Sequence, residues 1–567
     1  AKQYATLPDS GKTATPANAE AYYKKDMPFK YWIAYEYCWT TNTAIPEARW
    51  KANIDWVDTT FKAYGYDMIC NDGWIEGAQT IDANGYITKY NDGWVNNFAY
   101  WGEYLAKKNM RMGVYYNPMW LTKAAYDKNV PVTGTKYHAR DIVGPKSFNG
   151  DLYWVDAAKP GAKEWIQGYV AYFMGAGAKY LRIDFLENYE NNYGTEKYAQ
   201  VLHWIKQTAC DKLFLSLVMP NCFDHGKTEL LYGDMIRIDD DCFNGGWDFV
   251  SARRRGEHKK NWPQYGNAFD GFVSFADIGG RGQMVLDGDF IRLNTLANDD
   301  ERRFQVSLFT IAGSPITIAD QYDTIKEHAW AYQNNELIDL TDQGFIGKPL
   351  SYDLNDKPNS SIWTGQLPDG DWVVALFNRE EMTEERKIDF AKDLGITGGA
   401  VENVRDLWAH TDLGKMTGTY TVNLAPHTCR VLKIRNVNWG RYEAEVASMI
   451  GVKKNNAIAG YTGGGYADKL GQQGAKILFT INTNTAGMYK LTVKHSNVSR
   501  ATQHAGIYIN NLKIKGAIKM HKQADAAKWG YTSKNIQLAA GINQIAIQSE
   551  PDNDGEFSID HIVIKQD

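Results

Sequence analysis

Five hundred and sixty-seven residues are enough for three or four domains, or for one large barrel with smaller companions. Lys and Arg total 62 against 67 Asp and Glu, and a net charge of −5 gives no electrostatic case for a nucleic-acid partner or an anionic membrane. No run of 18 apolar residues is present to span a bilayer, and 13% aromatic residues suit either several large cores or surfaces that meet the apolar faces of sugars.

The first 340 residues alternate strand-like and helix-like patterns. Residues 31–37 (YWIAYEY) read as a strand, and 46–64 as a helix that starts at Pro46 and stops near Gly65. Buried runs follow at 66–70 and 110–116. In 160–175, Trp165, Ile166, Tyr169 and Phe173 share one helical face. Residues 178–185 form a fourth run, and 195–209 a helix with Tyr198, Val201, Leu202 and Ile205 on its buried stripe. Two more runs lie at 213–219 and 234–238. Strands separated by helices at this spacing predict parallel βαβ units, and their number predicts a (β/α)8 TIM barrel over 1–344. A doubly wound open sheet is the runner-up, but no Gly-rich phosphate loop follows the first run. Residues 345–437 read as an antiparallel β domain, with two strands joined at Pro368-Asp369-Gly370. In 438–567, Ile477, Phe479 and Ile481 alternate inward, as do Tyr489, Leu491 and Val493, which predicts a β-sandwich.

Six scattered cysteines contain no CxxC pair and the histidines no HExxH, so zinc sites of those kinds are not expected. The chemistry is sought at the C-terminal ends of the barrel strands, where such folds place their active sites. The fourth run ends Arg182-Ile183-Asp184, with Arg182 and Asp184 on one face. A carboxylate beside that cation is expected to stay ionised, as a nucleophile requires; the plain alternative is a structural Arg–Asp pair. The sixth ends Arg237-Ile238-Asp239-Asp240-Asp241. Adjacent acids repel, so at least one carboxyl there should be raised and able to act as a general acid. The second leads into Asn71-Asp72-Gly73-Trp74, where an acid and a ring suit a sugar; the alternative is a turn closed by Asp72 and Gly73. Two carboxyls from different strands, with no cofactor motif, point to glycoside hydrolysis without a catalytic cofactor.

These motifs resemble the clan D α-glycosidases, most closely the α-galactosidase-like glycoside hydrolase family 27, over about residues 28–436. The family's acid-rich motif after the second strand corresponds to Asn71-Asp72-Gly73-Trp74. Its Lys-x-Asp ending the fourth corresponds to Arg182-Ile183-Asp184. Its Arg, the acid/base four residues on and a following Trp correspond to Arg237, Asp241 and Trp247. Residues 310–321 resemble its eighth-strand region. The resemblance implies Asp184 as nucleophile and Asp241 as acid/base of a retaining double displacement, with Asp240 as the fallback. Asn71, Asp72, Trp74, Arg182 and Arg237 are then the substrate-binding set. It implies an exo-acting α-galactosidase. An α-glucan or isomalto-oligosaccharide hydrolase is the alternative, kept open by Asn71 and Arg182, which replace an acid and a lysine. A non-catalytic carbohydrate-binding protein is the other.

Residues 440–567 resemble a carbohydrate-binding module of the family 6/35 type, through 441–448, 459–466 and 557–564. That resemblance implies a structural Ca2+, for which Glu443 and Glu445 on one strand face and Asp560 are the candidate ligands. Tyr466, Trp529 and the segment 551–555 are its candidate sugar contacts. The expected partner is an oligo- or polysaccharide, and the expected location secreted, periplasmic or extracellular; a chain opening at Ala1 without a leader reads as mature or trimmed.

Overall fold

The computed structural model describes residues 29–146, 150–258, 264–435, 440–525 and 528–566. Eight short parallel strands form the first unit: β1 (Lys30–Ile33), β2 (Met68–Cys70), β3 (Arg111–Tyr115), β4 (Ala178–Ile183), β5 (Phe214–Leu217), β6 (Met235–Arg237), β7 (Val285–Asp287) and β8 (Ile316–Ile318). They pair in chain order from β1 to β7, and β8 pairs with β1. The last gap is closed just beyond β7. The Ile291 N–H donates to the Thr317 carbonyl (2.9 Å) and the Ala319 N–H to the Ile291 carbonyl (3.0 Å). The sheet is a closed TIM barrel, so every strand is covered on both faces and reads as an apolar run rather than an alternating one.

The expected helices are present. α3 (Ala162–Gly175) buries Trp165, Ile166, Tyr169 and Phe173, and α4 (Thr195–Ala209) buries Tyr198, Val201, Leu202 and Ile205. Between them and the start of the chain lie α1 (Tyr35–Thr41) and α2 (Glu47–Thr60). The expected strand at 31–37 is corrected here: only Lys30–Ile33 is extended, and Tyr35 begins α1. The physical reason is Glu36. Its carboxylate accepts from Arg292 Nε (2.9 Å), Asn294 Nδ2 (2.8 Å), Gln321 Nε2 (3.1 Å) and Thr324 Oγ1 (2.5 Å), all from the loops after β7 and β8. Four donors on one buried carboxylate turn the chain off the barrel where β1 ends. The expected runs also lacked β7 altogether.

Two β units follow. Ile362–Gln366 and Trp372–Phe377 form a hairpin closed by the Leu367 N–H to Asp371 carbonyl bond (2.8 Å), with Gly370 at φ 93°, as the Pro-Asp-Gly turn predicts. The C-terminal unit is a sandwich of two antiparallel sheets. Ile477, Phe479, Ile481, Tyr489, Leu491 and Val493 all lie in its single core. The sandwich is seated on both other units. The Tyr442 hydroxyl donates to the Pro368 carbonyl (2.8 Å), the Glu443 N–H to Gln366 Oε1 (2.8 Å), and Gln283 Nε2 of the barrel to the Met449 carbonyl (2.9 Å). Among the described residues, no helix is long and apolar enough to cross a membrane.

Candidate active site

Asp184 follows β4 directly. Its Oδ1 accepts the Phe185 N–H (2.6 Å), its Oδ2 accepts the Tyr115 hydroxyl (2.6 Å), and Asn117 Nδ2 holds its carbonyl (2.8 Å). Phe185 sits in the left-handed region (φ 61°), which turns the chain sharply beneath the carboxyl. Burial pushes the Asp184 pKa up, and the charge of Asp241 is the next cause, outweighing the two hydrogen bonds and Arg182. This differs from the expectation that Arg182 keeps it ionised. The reason lies in where the guanidinium goes: Arg182 Nη1 meets Asp287 Oδ2 (3.0 Å) and Nη2 meets Asp289 Oδ1 (3.1 Å).

Arg237 is the second hub. Its Nη1 reaches Asp289 Oδ1 (2.9 Å), its Nε reaches Asp239 Oδ1 (3.2 Å), and its Nη2 holds Asp241 Oδ1. Arg182 and Arg237 therefore grip Asp289 between them, and the other Asp289 oxygen accepts the Cys242 N–H (2.8 Å). That bond ties the loop carrying Asp241 to β7. Burial still raises Asp289 to about 7. Asp239 is pushed well up, because it is wholly buried. It lies inside the cluster, whereas the Asp241 side chain is 25% exposed at the mouth.

The second strand supplies a mixed set. Asp72 Oδ1 accepts the Gly73 N–H (2.8 Å), so the turn reading holds for one oxygen; Oδ2 is buried without a partner, and burial lifts the carboxyl to about 8. Asn71, expected on the sugar, is used otherwise. Its Nδ2 donates to the Tyr115 carbonyl (3.1 Å) and its Oδ1 accepts the Tyr115 N–H (3.0 Å), which fixes the residue that bonds Asp184. Trp74 stands half-buried at φ 67° beside this turn. Trp247 packs its indole on His427 of the antiparallel unit (4.0 Å, 22°).

Sequence reasoning missed Tyr35, Glu76, Tyr115, Asp287 and Asp289. The Tyr35 hydroxyl is buried without a partner and feels the charges of Asp241, Asp289 and Asp72. Glu76 is lifted to about 7 by burial and lies 3.4 Å from the Tyr115 hydroxyl. Alternation in Val285-Leu286-Asp287-Gly288-Asp289 was the available signal for the last pair. The unmatched buried polar atoms at Tyr35 and Asp72 cost about 1–3 kcal/mol each.

In the sandwich, Glu443, Glu445 and Asp560 are all buried. Glu443 ends a strand, but Glu445 lies on the one-turn helix Ala444–Val446, so a turn and not strand alternation brings the two together. Ligand atoms of Glu443, Asp560 and His561 lie within 4.8 Å of one another. Thr462 Oγ1 bonds Glu443 Oε2 (2.9 Å) and Asp560 Oδ2 (3.1 Å), and Lys494 Nζ is 2.9 Å from Asp560 Oδ2. Burial, then Glu445 and Asp560, pushes Glu443 well up, and burial lifts Glu445 to about 8 with its Oε2 unpartnered. Tyr466 is buried and packs edge-on against the half-buried Trp529 (5.2 Å).

An acid-lined barrel mouth backed by two β units is the architecture of a glycoside hydrolase with an appended module. Family models agree: residues 357–434 match the alpha galactosidase C-terminal beta sandwich domain, and 440–566 match carbohydrate binding module family 35. Isomalto-dextranase of Arthrobacter globiformis is 38% identical over 94% of this chain and 89% of its own. Its structure in complex with panose superposes at a TM-score of 0.90, with 37% identity, over 96% of this chain and 98% of that one. The chain belongs to the α-galactosidase-like glycoside hydrolases of clan D, with a C-terminal family 35 module. Galactosidases are more distant relatives: the enzyme of Oryza sativa is 23% identical over 32% of this chain and 43% of its own. The likeness thus favours the α-glucan alternative over the galactosidase expectation.

Proposed function

We propose that this protein is a retaining hydrolase of α-1,6-linked glucans that acts from a chain end. The observation that carries the chemistry is the Asp184–Asp241 pair at the barrel mouth, where Asp241 is the strongest charge acting on Asp184. Asp184 attacks the anomeric carbon while Asp241 gives its proton to the leaving oxygen. Asp241 then takes a proton from water, which displaces Asp184. Arg237 holds Asp241 Oδ1 and so orients Oδ2 toward the leaving oxygen. Two features support glucan over galactose: the full-length likeness to an isomalto-dextranase, and the withdrawal of Asn71 and Arg182 into bonds with the protein itself. The module is a carbohydrate-binding accessory.

Proton NMR of dextran digestion tests the reading. The expected result is early release of isomaltose as the α-anomer, with no turnover of aryl α-galactosides. Galactose release without action on dextran would return the galactosidase reading, and a β-anomeric first product would overturn double displacement. Tyr115→Phe removes a hydrogen bond that lowers the Asp184 pKa. The acid limb of kcat/KM therefore moves to higher pH; an unmoved limb would remove Asp184 from the rate equation.

Glu443 and Asp560, clustered with His561 rather than with the expected Glu445, would hold a structural Ca2+, and the orphaned Glu445 oxygen is a further candidate ligand. The raised Glu445 favours the protonated fold, a stability present below its ordinary value and lost as pH rises through about 8, and Glu443, also raised, acts in the same direction. Calcium binds the ionised form, so its stabilisation grows with pH, reaching about 2.7 kcal/mol at a hundredfold excess over Kd. Thermal melts with calcium or chelator should differ more at pH 8 than at pH 5. No difference at pH 8 would remove the metal.

A further inference from the structure

We propose that Trp39 and Phe243 form a platform on the barrel rim for the leaving-group side of the glucan chain, an inference that rests on the reading above. These rings are 37% and 36% exposed, whereas Trp32, Trp120, Trp154, Trp165, Trp363 and Trp372 are fully buried. Trp39 comes from α1, just after β1, and Phe243 from the loop after β6, 204 residues on; the rings stack at 4.8 Å and 27°. Such a meeting leaves apolar surface in water, and the protein holds it there firmly. Trp39 Nε1 donates to Asn244 Oδ1 (3.1 Å). Buried Arg292 donates from Nη1 to the Phe243 carbonyl (3.1 Å) and from Nε to Glu36 Oε2 (2.9 Å), one turn ahead of Trp39 on α1.

The position of the pair says what it receives. Tyr35, whose hydroxyl feels Asp241, Asp289 and Asp72, stacks on Trp39 (6.0 Å, 13°), so a row of rings runs from the carboxylates outward. Phe243 lies two residues beyond Asp241. A proton donor touches the glycosidic oxygen, so the sugars beyond that oxygen lie on the side of Asp241 away from Asp184. Flat rings there suit the C–H face of a pyranose, and their continuity with the acid site favours a glucan over any unrelated partner.

The test compares dextran with α-isomaltosyl fluoride, whose leaving group is a single atom and reaches no platform. Trp39→Ala and Phe243→Ala should each lower kcat/KM on dextran ~tenfold, mostly through KM, and leave the fluoride within about twofold. Trp39→Phe, which keeps a ring, should recover most of the loss. Equal losses on both substrates, or none on dextran, would overturn the platform. Calorimetry of isomaltohexaose binding to Asp184→Asn reads it without turnover: adding Trp39→Ala weakens binding ~tenfold, and unchanged affinity overturns it. If the wild type cleaves α-galactosides and not dextran, the proposed substrate fails. The platform is then judged by the same comparison between a galacto-oligosaccharide and α-galactosyl fluoride.

Discussion

Asp184→Asn reduces turnover by ~10^4-fold or more while leaving the fold and its melting temperature close to those of the wild type. Asn keeps the shape and can still accept the Phe185 N–H, so the turn at φ 61° survives. What is lost is the charge that attacks the anomeric carbon. Azide should restore product from an activated α-glycoside, with inverted anomeric configuration, because a small anion enters the space beside the neutral amide. Turnover above about a hundredth of wild type, beyond what contamination explains, would pass the nucleophile role to another acid. Asp72 and Glu76 are the neighbours in reach of that role, and their raised pKa values of about 8 and about 7 make them poor anions at neutral pH.

Arg182→Met is expected to destabilise the barrel by about 3–5 kcal/mol. The side chain is buried and compensates two buried carboxylates, Asp287 and Asp289, at 3.0 and 3.1 Å. Met fills much of the volume but leaves those charges facing each other. The remaining cation, Arg237, is already shared among Asp239, Asp241 and Asp289. The loss should be larger at pH 8 than at pH 5, since Asp289, already lifted to about 7, takes a proton in the acid range and relieves the repulsion. Denaturant unfolding at the two pH values checks this. A loss under about 1 kcal/mol at pH 8 would mean that Arg182 contributes little to holding the cluster together.

The buried runs at 66–70, 110–116 and 178–185 were legible because a barrel strand is apolar on both faces, and the intervening helices kept their 3.6-residue stripe. The run at 31–37 misled for the same reason in reverse: its aromatics satisfy a strand, while the bonds that bend the chain at Glu36 come from residues more than 250 positions later. β7 escaped notice because three residues between polar loops carry no period of their own.

The sequence by itself determined the barrel, the two β units behind it and the acids at the ends of the fourth and sixth strands. These follow from local periodicity and from residues adjacent in the chain. The tertiary structure alone decided what each acid experiences. Asp287 and Asp289 draw Arg182 away from Asp184, Asn71 turns to the Tyr115 backbone, and a helical turn rather than a strand sets Glu443 and Glu445 side by side. A pKa or a hydrogen-bond partner depends on burial and on charges brought close by closure of the barrel, and neither is a property of neighbouring residues in the chain.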